Sequence, residues 1–232
     1  PANVHVVHNG IDPVEWHPDT GTTAHERHGV DPSAPTVIFV GRVTRQKGIQ
    51  HLLDAALLLD PSVQIVLRAG SPDTAELGQE LAAAVEHVRR ERGNIVWIQD
   101  MLDRWEVIQL LTHAEVFCCP SIYEPLGLVN LEAMACETAV VASAVGGIPE
   151  VVDDGATGLL VPFAPISDDD PAPADPDRYA ADLARALTAV LEDPVQRAAM
   201  GAAGRQRVID HFSWSAIAAE VLRVYEGVLA DR

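Results

Sequence analysis

Residues 116–135 read Val116-Phe117-Cys118-Cys119-Pro120-Ser121-Ile122-Tyr123-Glu124-Pro125-Leu126-Gly127-Leu128-Val129-Asn130-Leu131-Glu132-Ala133-Met134-Ala135. The first four form a short apolar run that reads as a buried strand. The middle carries the Pro and Gly of a loop, and the apolar end reads as a helix. This strand–loop–helix unit brings Glu124 to the mouth of a sheet and puts Glu132, eight positions later, more than a turn into the helix. The backbone N–H groups of Gly127, Leu128 and Val129 fall at the helix start, where they have no intrahelical partner and suit an anion. Two glutamates at this spacing are by themselves usually a solvated helix face. Here the second lies in Leu131-Glu132-Ala133-Met134-Ala135, a helix apolar enough to be buried, and a carboxylate there is costly unless something meets it. A phosphate held between two acceptors of hydroxyl hydrogen bonds describes a nucleotide sugar.

The flanks repeat the same unit. Thr36–Val40, Val63–Leu67, Ile95–Ile98, Ala139–Ala142 and Gly158–Val161 are further apolar strand candidates. Helical spacing between them predicts helices from Ile49 to Leu57, over 74–92, over 103–113 and over 128–136. Apolar strands alternating with helices predict an α/β, Rossmann-like, doubly wound parallel sheet with helices on both faces. Upstream, residues 3–7 alternate like a strand and 14–35 read as an irregular connector rich in Pro, Gly, His and Asp. Downstream, the Pro- and Asp-rich stretch 164–177 reads as an exposed loop, with helices expected near 178–192, 195–210 and 214–230. The last has an apolar stripe of Trp214, Ile217, Val221, Val224 and Val228 after a possible Ser213 cap. These extra helices are expected to pack onto the sheet, with the terminal one able to reach a second domain instead. The divisions are thus an entry strand and connector (1–35), a Rossmann-like domain (36–212) and a carboxyl-terminal helix (213–232).

Ligands of such sheets bind at the carboxyl ends of the strands. Two loops join the one above. Gly41-Arg42-Val43-Thr44-Arg45-Gln46-Lys47-Gly48 lacks the spacing of a dinucleotide fingerprint or a P-loop, but it places cations at a strand end in a chain of net charge −18. Arg42 and Lys47 there flank a helix start and could hold a diphosphate. Gly146-Gly147-Ile148-Pro149-Glu150 is the third loop; its paired glycines either let a ligand approach or only make a tight turn.

Together these loops resemble the carboxyl-terminal half of retaining glycosyltransferases with two facing Rossmann-like domains, the GT-B fold, in the glycosyltransferase family 4 group. The matching pieces are Val40-Gly41-Arg42 with Lys47-Gly48, Glu124-Pro125-Leu126-Gly127-Leu128 through Glu132-Ala133-Met134-Ala135, Gly146 to Glu150, and Asp154-Gly155 with Gly158-Leu159-Leu160-Val161. Asn9-Gly10-Ile11-Asp12 and Phe212-Ser213-Trp214 fit as well, and the motifs are most similar to bacterial glycogen synthases and α-maltose-1-phosphate synthases. The resemblance implies that Arg42 and Lys47 bind the donor diphosphate and offset charge on the leaving group. Glu124 would contact donor sugar hydroxyls, the amides of Gly127, Leu128 and Val129 the phosphates, and Glu132 the ribose. The base would lie near Gln99 to Leu102, with Gln99 and Met101 as its contacts. No cofactor or metal is implied. The implied reaction moves glucose from a nucleotide-diphosphate sugar, ADP-glucose first, to an α-glucan or small sugar acceptor. An amino-terminal partner domain has no counterpart in this chain, which begins at Pro1 without Met, so an isolated half is expected to be incompetent for transfer.

Bulk properties narrow the rest. With 48% hydrophobic and 22% charged residues the chain is an ordinary globular one, and its acidity argues against nucleic acid or an anionic membrane as partner. No apolar run is long enough to span a membrane, and a cytoplasmic setting is expected, with Cys118 and Cys119 as buried thiols and not a disulfide. The close histidine pairs His5/His8 and His25/His28 lack companion ligands, and Asp168–Asp170 reads as a solvated loop. The rival readings are a family member using a UDP- or GDP-sugar on a lipid or small molecule, a non-catalytic nucleotide-sugar-binding module, and a dehydrogenase. A glycoside hydrolase carboxylate pair is set aside, because Glu132 matches a ribose position.

Overall fold

The computed structural model describes residues 4–70, 72–167 and 169–230. The strands are β1 (Thr36–Arg42), β2 (Gln64–Gly70), β3 (Ile95–Ile98), β4 (Val116–Cys119), β5 (Ala139–Ser143) and β6 (Gly158–Val161). The helices are α1 (Thr23–His28), α2 (Ile49–Ala56), α3 (Ala75–Glu91), α4 (Arg104–His113), α5 (Leu128–Ala135), α6 (Ile148–Val151), α7 (Pro176–Glu192), α8 (Pro194–Arg207) and α9 (Trp214–Ala230). All strands are parallel in a six-stranded sheet of order β3-β2-β1-β4-β5-β6. Each strand is apolar on both sides because each side is covered. Val37, Phe39, Ile65, Leu67, Val116 and Cys118 face α2, α3 and α7, whereas Ile38, Val40, Val66, Phe117 and Cys119 face α1, α4, α5 and α6. The period of two along a strand is what divides them.

Strand order reverses between β1 and β4, the topological switch point where the crevice of an open α/β sheet lies. The loops leaving these two strands are the cationic loop and the Glu124 loop, so the fold itself places them side by side. The core cysteines Cys118, Cys119 and Cys136 are free and buried, and burial pushes the Cys136 thiol up to about 12.

Three expectations need correction. The strand over 3–7 does not form between Val4 and Val7; Asn3 lies outside the described residues. Val4 and Val6 are largely exposed and have no ladder partner among the described residues, and alternation without a sheet edge does not make a strand. What pairs instead is Gly10–Ile11 with the other end of the chain: Ile11 N–H donates to the Phe212 carbonyl at 2.8 Å and Trp214 N–H to that of Ile11 at 3.2 Å. The connector 14–35 is not wholly irregular, for it contains α1. Ala24 and His25 are buried against α4, and the Ala24 N–H donates to Gln109 Oε1 at 3.0 Å. Burial also lowers the His25 imidazole to about 4.

The third correction concerns α9. Ser213 does cap it, accepting from Ala216 N–H at 3.2 Å. Of its apolar stripe, however, only Ile217 is buried; Val221 and Val224 are half-buried, and Trp214 and Val228 are exposed. It leaves the sheet that α7 packs on. Of the Asp168–Asp170 run, Asp168 lies outside the described residues, while Asp169 and Asp170 are exposed.

Candidate functional site

The loop after β1 is shaped by Thr44, whose hydroxyl accepts from Lys47 N–H at 3.3 Å and closes a single 3₁₀ turn, Arg45–Lys47. Gln46 then joins this turn to the Glu124 loop. Its carbonyl accepts from Ile122 N–H and its side-chain amide donates to the Tyr123 carbonyl, both at 2.9 Å. With the two loops fastened, Lys47 Nζ lies 2.6 Å from Glu124 Oε2. The side chains are only 17% and 9% exposed, so the pair is partly desolvated. Ser121 Oγ donates to the same carboxylate oxygen at 3.4 Å.

The paired glycines stand directly behind. Gly147 N–H donates to the Glu124 carbonyl at 2.9 Å, and a Cβ on Gly146 would fall 2.0 Å from that oxygen. Gly146 also has φ +53°, so the position suits only glycine. Their role here is therefore to let two backbones touch and set the height of Glu124.

Gly127, at φ +91°, turns the chain into α5, and the amides of Leu128 and Val129 occupy its first turn beside Glu124. Asn130, fully buried in that turn, has no hydrogen-bond partner for either side-chain amide atom among the described residues. Glu132 is half-buried and no cation lies within ion-pair distance among the described residues. Desolvation raises its carboxyl to about 7, against the opposing pull of Arg104 and Arg68. The cost expected for a carboxylate on an apolar helix is thus present and only partly offset.

Not every anticipated residue joins this group. Arg42 points instead to Asp73, at 3.3 Å, with side-chain exposures of 68% and 51%. Met101 is 81% exposed on the rim, where its sulfur accepts from Arg68 at 3.1 Å. Gln99 lines a shallow depression with Gly70 and Trp97 on the α3 side of the sheet, away from Glu132. A cavity of about 390 Å³ between α2, α3 and Pro173 lies behind the cationic turn and includes neither Lys47 nor Glu124 in its wall. Sequence reasoning passed over Gln46, Ser121, Asn130 and Arg68. Only Arg68 carried a signal, being a cation that ends the apolar run Ile65-Val66-Leu67.

The family model described as "Glycosyl transferases group 1" matches residues 22–172, more than half of the chain. The chain belongs to that glycosyltransferase family. It is 48% identical over 235 residues to the α-maltose-1-phosphate synthase of Mycolicibacterium smegmatis, covering 99% of this chain and 58% of that protein. The corresponding synthase of Mycobacterium tuberculosis is 50% identical over 234 residues, with the same coverage. Among solved structures, sucrose-phosphate synthase from Thermosynechococcus elongatus matches with a TM-score of 0.78 and 32% identity, over 98% of this chain and 53% of that one. The Anabaena HepE protein, solved in complex with UDP-glucose, shares the fold at 20% identity and a TM-score of 0.78, over 97% of this chain and 57% of its own. The glycosyltransferase chain spans 58% of the length of the mycobacterial relatives it matches. No helix among its described residues is long and apolar enough to cross a membrane.

Proposed function

We propose that this chain is the donor-binding half of a retaining glycosyltransferase. The complete enzyme transfers glucose from a nucleoside-diphosphate sugar, ADP-glucose, to an α-glucan or to glucose 1-phosphate. The observation that carries the reading is the contact of Lys47 with Glu124 at the switch point, beside the start of α5. The two groups can serve donor and pair at once. An ammonium has three donors, so Lys47 can keep Glu124 and still reach a phosphate oxygen. Glu124 Oε1 is left to accept from a sugar hydroxyl. Leu128 and Val129 amides complete the diphosphate cradle, and Glu132, one turn further, accepts from the ribose. Arg42 swings in at little cost, since an exposed pair such as Arg42–Asp73 is worth about 0–1 kcal/mol.

As the bond from sugar to phosphate breaks, charge accumulates on the diphosphate, where Lys47 and the amides are already oriented to receive it and Arg42 joins them. A phosphate oxygen takes the proton of the incoming hydroxyl on the same face, so the anomeric configuration is kept. The half-covered stripe of α9 and the relatives' greater length support a facing domain that supplies the acceptor side. The relatives named for α-maltose 1-phosphate synthesis favour glucose 1-phosphate as acceptor. The test is transfer by the full-length protein from ADP-, UDP- and GDP-glucose to glucose 1-phosphate, with product configuration read by NMR. An α-linked product from ADP-glucose, with kcat reduced in Lys47→Ala, is expected. Preference for another donor would move the substrate within the family, and an inverted product would refute the mechanism.

A further inference from the structure

Beyond Glu132, the nucleoside has to run over the ends of β2 and β3, and one side chain there has only a thioether as polar contact among the described residues. Arg68 is in register with Val40 and Ile98, so it stands on the face covered by α4 and α5, which is also the face of Glu132. It sits near the outer end of an otherwise buried strand and is itself half-buried. Among the described residues its enclosed Nε–H finds no acceptor, and its polar contact is the Met101 sulfur at 3.1 Å. A thioether is a weak acceptor for a group that carries five donors. No carboxylate lies within 4 Å of Arg68 among the described residues, whereas Arg104 is occupied by an ion pair with Glu15 and by the face of Trp16. Arg42, paired with Asp73, is the cation assigned above to the diphosphate.

We propose that Arg68 is the residue that reads the nucleobase of the donor, the outer edge of its guanidinium donating to acceptor atoms of the base between β2 and the Met101 rim. This rests on the donor-site reading above and deepens it. Arg68 is separated from the diphosphate cradle by the ribose position at Glu132, so its effect should depend on which base is present. A planar fork matched to base acceptors can discriminate by about tenfold or more between bases.

The experiment is titration calorimetry of the full-length protein with ADP, UDP, CDP and GDP, in the wild type, Arg68→Met, Arg68→Lys and Lys47→Ala. The expected result is a spread of affinities in the wild type that narrows by about tenfold in both Arg68 variants, through loss of the preferred nucleotide. Lys47→Ala should instead weaken all four alike and keep their order. Arg68→Lys keeps the charge without the fork, so it separates base reading from a field effect even if Arg68→Met folds poorly. A uniform loss across bases in the Arg68 variants, or a wild type with no base preference, would overturn the proposal and leave the donor site standing. Nucleotide binding unaffected by Lys47→Ala would overturn both.

Discussion

Replacing Glu132 by glutamine should stabilise the protein, and only above mildly acid pH. The carboxyl is moved from 4.5 to about 7, chiefly by desolvation. Below about pH 4.5 the group is neutral in the folded and unfolded chains alike, and its neutral form is comfortable where it sits. Between the two values the folded protein holds a proton that the unfolded chain has released, so wild-type stability falls as pH rises. Above about 7 the full deficit is reached, about 3 kcal/mol at roughly 1.4 kcal/mol per decade of proton affinity. That is an upper figure, because the side chain is only half-buried and water screens part of the cost. The uncharged amide of the Glu132→Gln variant carries no such cost. The assay is urea unfolding followed by circular dichroism at pH 5 and pH 8. The advantage of Glu132→Gln over wild type should be less than about 1 kcal/mol at pH 5 and about 2–3 kcal/mol at pH 8. A difference that stays flat between the two would refute the reasoning. Nucleotide binding should fall in the same variant, for a carboxylate kept at a cost to stability is kept for a ligand.

The same titration should appear in binding: if ribose hydroxyls need the ionised form, ADP affinity rises about tenfold from pH 6 to pH 8, and calorimetry on Glu132→Gln should show a flat profile. Lys47→Met strands the Glu124 carboxylate, whose side chain is 9% exposed, and should cost about 3 kcal/mol in urea unfolding at pH 8. Adding Glu124→Gln should recover most of that loss, and an additive cycle would show that the pair is not coupled. Gly146→Ala forces a Cβ against the Glu124 carbonyl at a left-handed position. It should weaken nucleotide binding by about tenfold with helical content unchanged, which calorimetry beside circular dichroism would check.

How much of this was legible in the chain depends on the distance over which each feature is decided. The strands and most helices follow local rules, and runs such as Val116–Cys119 or Ile95–Ile98 announce themselves by being apolar on both faces. The helix α1 does not, because its six residues, Thr-Ala-His-Glu-Arg-His, carry no periodicity, and it holds through Gln109 on a remote helix. Between Val4 and Val7 the expected strand failed for the complementary reason, having the pattern but no ladder partner among the described residues. In the site, Lys47 and Glu124 were both singled out from their loops, yet their contact spans 77 residues and depends on strand order and on the clamp of Gln46. That Gly146-Gly147 pack against the Glu124 carbonyl could not be read from their loop alone. Arg42 illustrates the opposite limit: its type and place suit a diphosphate, but its exposed pairing with Asp73 could not be read from its loop alone.

The central claim is that one crevice, walled by the β1 and β4 loops and the start of α5, takes a nucleoside diphosphate. It is tested most directly by titrating the full-length protein with ADP and repeating the titration on Lys47→Ala and Glu132→Ala. The account predicts saturable binding by the wild type and a loss of about tenfold or more in each variant, since one removes a phosphate contact and the other a ribose contact. Wild-type affinity retained in both variants would place the nucleotide elsewhere and contradict the account.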